Sequence, residues 1–308
     1  NTILQIAAQS NLGGNPASFH AAQLLLNNGT LQARANFTLD DSNRGITIGA
    51  NGGGLHIGSG LTLTIANPIA GTGTLSCFGG GTLRLVGNHS ATGSLILSNS
   101  TLVMLGNVTL QNSQLIVSNA ATLDLTAQNG PLTINNRIAL TGNLIVPLNK
   151  TNLTTRLVAS NLVFGGTLTL SNTGPTLTYG DTLKLFNATN YSGAFSSIVP
   201  PVPGVGLVWN TNGLSVDGTI FVSASDAALL TPPRITNIEL IGNHLIVRGT
   251  NGNAPGTMFH TLTTTNLALP RSNWTSINTN PFGAGGSFIF TNTYDAAAAQ
   301  RFFILRLP

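Results

Sequence analysis

Asp40 and Asp41 are the only carboxylates that stand side by side in this chain. Two converging carboxyl groups, within about 10 Å, are what acid–base work on a glycosidic bond needs, and hard cations such as calcium also take several carboxylates. The pair falls in Leu-Asp-Asp-Ser-Asn-Arg, the composition of a solvated turn. The remaining acids, Asp124, Asp181, Asp217, Asp226, Glu239 and Asp295, are scattered. Asp181 follows Gly180 and reads as a turn residue bonding its own backbone. A polysaccharide lyase would require clustered acids for calcium and a basic proton acceptor, which this spacing does not supply.

His20, His56, His89, His244 and His260 lack ligand spacing such as His-x-x-x-His and read as surface or satisfied core residues. Cys77 is the only cysteine, so an internal disulfide and a paired-cysteine zinc site are both excluded. It reads as a small apolar core residue. The glycine run from Gly49 to Gly54 leads into a strand pattern rather than a helix, which makes it a turn and not a phosphate loop. No catalytic residue, metal ligand or cofactor site is assigned. Trp209 and Trp274 are candidate aromatic contacts for sugars, although single tryptophans in strand-rich chains also anchor cores.

Ten Asn residues open an Asn-x-Ser/Thr sequon: Asn28, Asn36, Asn88, Asn99, Asn107, Asn149, Asn152, Asn187, Asn190 and Asn273. They are candidate glycosylation sites, and chance also produces sequons in a chain so rich in Asn, Ser and Thr.

The elements that must carry these residues are strands. Hydrophobic residues make up 42% of the chain and charged residues only 6%, so uncharged polar groups cover the surface. Lys and Arg number 12 against 8 acids, for a net charge of +4 without a basic cluster, and no nucleic-acid partner is expected. Apolar runs stay well short of the eighteen or so residues that would suggest a transmembrane segment. The chain opens at Asn1 without a Met or a charged-plus-apolar leader, which reads as the product of processing, so an export signal itself is not seen.

Short cassettes recur in which Leu alternates with Thr or another polar residue: Gly60-Leu-Thr-Leu63, Gly81-Thr-Leu-Arg-Leu85, Gly93-Ser-Leu-Ile-Leu97, Thr122-Leu-Asp-Leu125 and Gly166-Thr-Leu-Thr-Leu170. Alternation puts Leu on one face and polar residues on the other. Helical periodicity is nearly absent; the stretch from Ala17 to Leu26 is the one helix-compatible segment near the start. Self-similar cassettes without long crossovers favour a coil of stacked rungs over a Greek key, with Leu, Ile and Val inside and Asn and Gly at the turns. The expectation is an all-β chain: a parallel β-helix over residues 1–222, a linker over 223–233 that includes Pro232-Pro233, and a small β-sandwich over 234–308 with five strands.

Residues 28–33, 43–49, 52–54 and 80–85 carry a family resemblance, as do Gly180-Asp-Thr-Leu-Lys-Leu-Phe186, Tyr191-Ser-Gly-Ala-Phe195 and Gly206-Leu-Val-Trp-Asn210. Together they resemble the autotransporter-associated β-strand repeat of bacterial surface proteins. The last segment, through Leu269-Pro270, Trp274, Thr279-Asn-Pro-Phe282 and Phe288-Ile-Phe-Thr-Asn292, is similar to a module found after such repeats. The resemblance implies a right-handed β-helical passenger, exported to the outside of the cell or its surface, with stalk, adhesive or scaffold roles and no catalytic residues to carry over. No membrane-barrel segment follows, so it describes the repeat alone.

The opening residues Thr2, Ile3, Leu4, Gln5 and Ile6 already read as a strand and form a candidate assembly strand. An uncovered rung recruits other strands, and a head-to-tail contact between unlike patches extends into a filament. The expected function is therefore a structural subunit whose main partner is a second copy of itself. An adhesin or glycan-binding module is the alternative, and a polysaccharide-degrading enzyme ranks behind both.

Overall fold

A computed structural model describes residues 2–152, 155–225, 233–251, 256–293 and 300–307. Among these there is no α-helix, and strands make up 58% of the structure. It divides into two compact units, one comprising Asn1–Pro175, Leu183–Pro200 and Thr211–Ile220, the other Thr176–Thr182, Pro201–Asn210 and Phe221–Pro308.

The first unit is a parallel β-helix. One parallel sheet has nine strands, from Thr2–Ile6 through Gly29–Ala33, Gly53–Ile57 and Leu75–Phe78 to Phe186–Gly193. A second has eight, from Phe37–Leu39 to Ser197–Val199, and a third, short sheet joins His20–Leu26, Arg44–Ile48 and Ile69–Gly71. The helix-compatible stretch before Leu26 is thus a strand. Leu24 and Leu26 point inward at alternate positions, and pairing with Ile46 and Ile48 overrides local propensity.

In-register pairing stacks like on like. Leu63, Leu83, Leu102, Leu123, Leu144 and Leu168 form one fully buried column, and Leu31, Leu55, Cys77, Leu97, Val117 and Leu140 form another. Each such side chain contributes roughly 1.5–3 kcal/mol by leaving water. On the outer face Thr62, Thr82, Thr101 and Thr122 stand in register, which is why the cassettes read Thr-Leu. The rungs are unequal: Thr2, Gly29, Gly53, Leu75, Leu95, Leu115, Ile138, Leu162 and Tyr191 mark steps of 27, 24, 22, 20, 20, 23, 24 and 29 residues.

Corners explain the glycines and amides. A Cβ on Gly73 would overlap the carbonyl oxygen of Gly49, and one on Gly93 would overlap that of Gly73, so one corner column admits only glycine. Asn28 and Asn99 take left-handed backbone angles, φ 59° and 43°. Asn161 links rungs by donating Nδ2 to Asn136 Oδ1 (3.2 Å) and accepting from Asn190 Nδ2 (3.1 Å). Buried Gln128 brackets the backbone of Val108, taking its N–H at 3.2 Å and giving to its carbonyl at 3.1 Å.

The second unit holds two antiparallel three-stranded sheets. One joins Arg234–Ile241, His244–Thr250 and Ser287–Thr293; the other joins Thr275–Pro281, Met258–Thr264 and Phe302–Arg306. They pack on Val247, Phe259, Phe282, Phe288 and Phe290, with ring centroids 4.7 Å apart for Phe259 and Phe282. Thr275–Pro281 is a sixth strand beyond the five expected, hidden because Thr-Ser-Ile-Asn-Thr-Asn-Pro holds a single aliphatic residue. Of the expected linker, Ser223 and Ala224 end the strand Thr219–Ala224, and residues 226–232 lie outside the described residues.

Candidate functional site

The adjacent acids do not stand free. Asp40 is held by Gln9, whose Oε1 accepts the backbone N–H of Asp40 (2.6 Å) and Asp41 (3.1 Å) while its Nε2 donates to Asp40 Oδ1 (3.0 Å). Asp41 pairs with Arg44 at 2.8 Å. Arg44 is fully buried, and its guanidinium also donates to the carbonyls of Leu12 (3.1 Å), Gly13 (2.8 Å) and Gly14 (3.2 Å). The corner expected to be a solvated turn is thus a clamp that fastens the Gln9–Leu12 turn and the two glycines after it to the next rung. Planar, permanently charged guanidinium suits that task, since it satisfies several acceptors at once. The spacing of Arg44 from residues 12–14 gave no sign of it.

Three of the other acids serve turns. Asp124 Oδ1 accepts the backbone N–H of Thr126 (2.8 Å), Asp217 Oδ1 that of Thr219 (3.0 Å) and Asp181 Oδ2 that of Thr178 (2.7 Å). Among the described residues no three His, Cys, Asp or Glu side chains gather as a metal site would require.

His89 lies in the β-helix interior, its Nδ1 accepting the Ile69 N–H at 3.3 Å; burial pulls its pKa down to about 4, so it stays neutral. Cys77 sits in the aliphatic column, and burial pushes its thiol up to about 11. His20 and His244 are exposed, and His260 Nδ1 meets Thr279 Oγ1 at 2.9 Å.

Trp274 is half-buried and donates Nε1 to the Leu269 carbonyl at 3.2 Å; Trp209 is half-buried in the strand Leu207–Asn210. Of the ten sequon residues, Asn149 is half-buried, accepting from Thr151 at its Oδ1 (2.7 Å); the other nine are exposed. Asn36 and Asn88 use their side-chain oxygens on Thr62 N–H (2.7 Å) and the Thr109 hydroxyl (2.8 Å).

Two surface features stand out. In the outer column Thr30, Gly54, Ser76, the glycine leaves a hollow of about 220 Å³ walled by Asn28, Asn51, Ser76 and Phe78. A Cβ at Gly54 would come within 2.8 Å of Thr30 Oγ1 and 3.1 Å of the Phe78 ring. The hollow therefore exists because that residue is glycine, and it offers amides and a hydroxyl beside an aromatic ring whose neighbour is His56, 5.3 Å away. The second is the strand Thr2–Ile6, which pairs with Gly29–Ala33 and ends the nine-stranded sheet. Leu4 heads the core column of Leu31 and Leu55 yet is 44% exposed, and Ile3 is 57% exposed.

Comparison of the chain with protein-family models, with curated proteins and with solved structures finds no match.

Proposed function

We propose that this chain is an extracellular structural protein, a fibre subunit whose copies join head to tail. What supports this reading is the strand Thr2–Ile6, which among the described residues pairs with Gly29–Ala33 alone and leaves Ile3 and Leu4 57% and 44% exposed. An edge of unpaired N–H and C=O groups flanked by aliphatic side chains is a template for another strand. Its counterpart is the C-terminal sandwich or last rung of the next copy. Such a contact uses two unlike surfaces and does not close on itself, so it propagates. Sugars on the exposed sequons would keep a chain with only 6% charged residues in solution.

Negative-stain microscopy of the full chain tests the reading. Leu4→Lys places a charge in the exposed edge, the device that natural edge strands use against pairing. Filaments for the native sequence and monomers for the variant are expected. Monomers for both, or filaments for both, would refute it.

A second reading, a glycan-binding module, draws on the hollow at Phe78, because an aromatic ring beside amides and hydroxyls is how proteins hold a sugar face and its hydroxyl rim. It predicts saturable glycan binding by monomers, lost in Phe78→Ala and unchanged in Leu4→Lys.

A further inference from the structure

Among the described residues of the C-terminal sandwich, one side is a cleft. There the strand Arg234–Ile241, an edge of one sheet, faces Phe302–Arg306, an edge of the other, across a cleft of about 460 Å³. Its walls are aliphatic and aromatic: Ile235, Ile238, Val247, Phe290, Phe303 and Leu305. Ile235 and Ile238 remain 50% and 60% exposed. A volume of this size lies in the range of small-ligand sites, and an apolar lining with one well-placed polar group is their usual make-up.

That group is Arg301, which also lines the cleft. Its Nε donates to Thr263 Oγ1 at 3.2 Å, and its guanidinium carbon lies 5.9 Å from the Phe303 ring centroid. Arg301 is itself exposed, and these two contacts hold its guanidinium beside the cleft. Among the described residues no acid forms an ion pair with Arg301, which brings its positive charge to an apolar cavity.

We propose that this cleft binds a single-chain amphiphile with an anionic head, a long-chain fatty acid, whose carboxylate meets Arg301 and whose methylenes lie along Ile235, Ile238, Phe290 and Phe303. Guanidinium and carboxylate match as a two-point hydrogen-bonded pair, and each buried methylene tightens binding about fourfold. The edges themselves argue against a peptide strand as occupant. The register of Arg234–Ile241 breaks between Ile235 and Asn237, and a bulge of this kind spoils an edge for further pairing. Phe302–Arg306 is short and bracketed by Arg301 and Arg306. What the cleft presents is side chain, and side chain of one chemistry. The proposal is independent of fibre assembly.

Titration calorimetry of the full chain with octanoate, decanoate, dodecanoate and dodecan-1-ol, each below its micellar concentration, tests it. Affinity for the acids is expected to rise about fourfold per methylene. Arg301→Gln weakens dodecanoate at least tenfold and leaves dodecan-1-ol within twofold. Ile238→Glu, at a residue exposed enough to leave folding intact, abolishes binding of the acid. Absence of saturable dodecanoate binding, or binding that both substitutions leave unchanged, overturns the proposal. So does binding of a synthetic Thr-Ile-Leu-Gln-Ile strand in place of dodecanoate, which would make the cleft a strand-addition site.

Discussion

Replacing Arg44 by Met keeps much of the side-chain volume and removes five hydrogen bonds, two to Asp41 and one each to the carbonyls of Leu12, Gly13 and Gly14. Breaking a buried ion pair from one side costs about 3–5 kcal/mol, because the remaining groups keep their desolvation penalty without a partner. Part of that is recovered here. Asp41 is 22% exposed and can turn toward water, and the three carbonyls belong to a surface segment that can lift away. A loss of about 3 kcal/mol is therefore the expectation. It falls on one end of the β-helix, since each rung leans mainly on its neighbours and a terminal rung opens by itself. Native-state hydrogen exchange resolves this: the amides of Ala8, Asn11 and Gly13, which are bonded within the clamped turn, should exchange about a hundredfold faster, with those of Leu83 and Leu102 unchanged. Arg44→Lys, which offers a point charge without the planar fork, should recover only part of the protection. Protection within threefold of the native chain at all three amides would show that the clamp holds nothing, and the reading of Asp40 and Asp41 as structural would fall with it.

Acid should destabilise the chain through His89. The unfolded imidazole takes up a proton near pH 6.5 and the native one only near about 4, so between those values the unfolded state binds more protons and stability is lost as the pH is lowered. The full effect, reached below pH 4, is roughly 3 kcal/mol, and His89→Gln should remove it from the difference between urea midpoints at pH 7 and pH 4. Cys77 should resist a thiol reagent at pH 8 in the native chain and react once the chain is unfolded in urea, because a buried thiol held near about 11 supplies almost no thiolate. Gly73→Ala should destabilise the β-helix by about 3 kcal/mol, as its Cβ would enter the space of the Gly49 carbonyl, while Gly130→Ala, with nothing near the added carbon, should stay within about 0.5 kcal/mol in the same denaturation assay.

What could be read from the residues was whatever repeats along one strand. Thr-Leu alternation reports directly which atoms face inward, so the columns through Leu63 and Leu83 and the polar face through Thr62 and Thr82 were legible; of the glycine run expected to be a turn, Gly49 to Gly52 turns and Gly53 and Gly54 belong to the strand Gly53–Ile57. Interactions made across rungs were not. Arg44 reaches carbonyls some thirty positions earlier, and that distance means contact only because the first step of the coil is 27 residues long. The strand His20–Leu26 was hidden for a similar reason: Ala and Leu suit either conformation, and its partners at Ile46 and Ile48 decide. In the sandwich, the cleft beside Ile235 and Phe303 was not legible, since a cleft is defined by where two sheets part. Trp274, singled out for sugars, spends its indole N–H on Leu269.

The unequal steps of the coil bear on how it folds. Strands this alike could settle beside the wrong neighbour, and a structure made of identical units has no internal way of noticing the slip. Because successive steps differ, from 20 residues beside Leu95 to 29 before Tyr191, a strand shifted by one rung would leave its connecting corner too short or too slack, and pairs such as Asn161 with Asn190 would miss. Irregularity in the connections thus gives each rung an address, and allows a chain of near-copies to count.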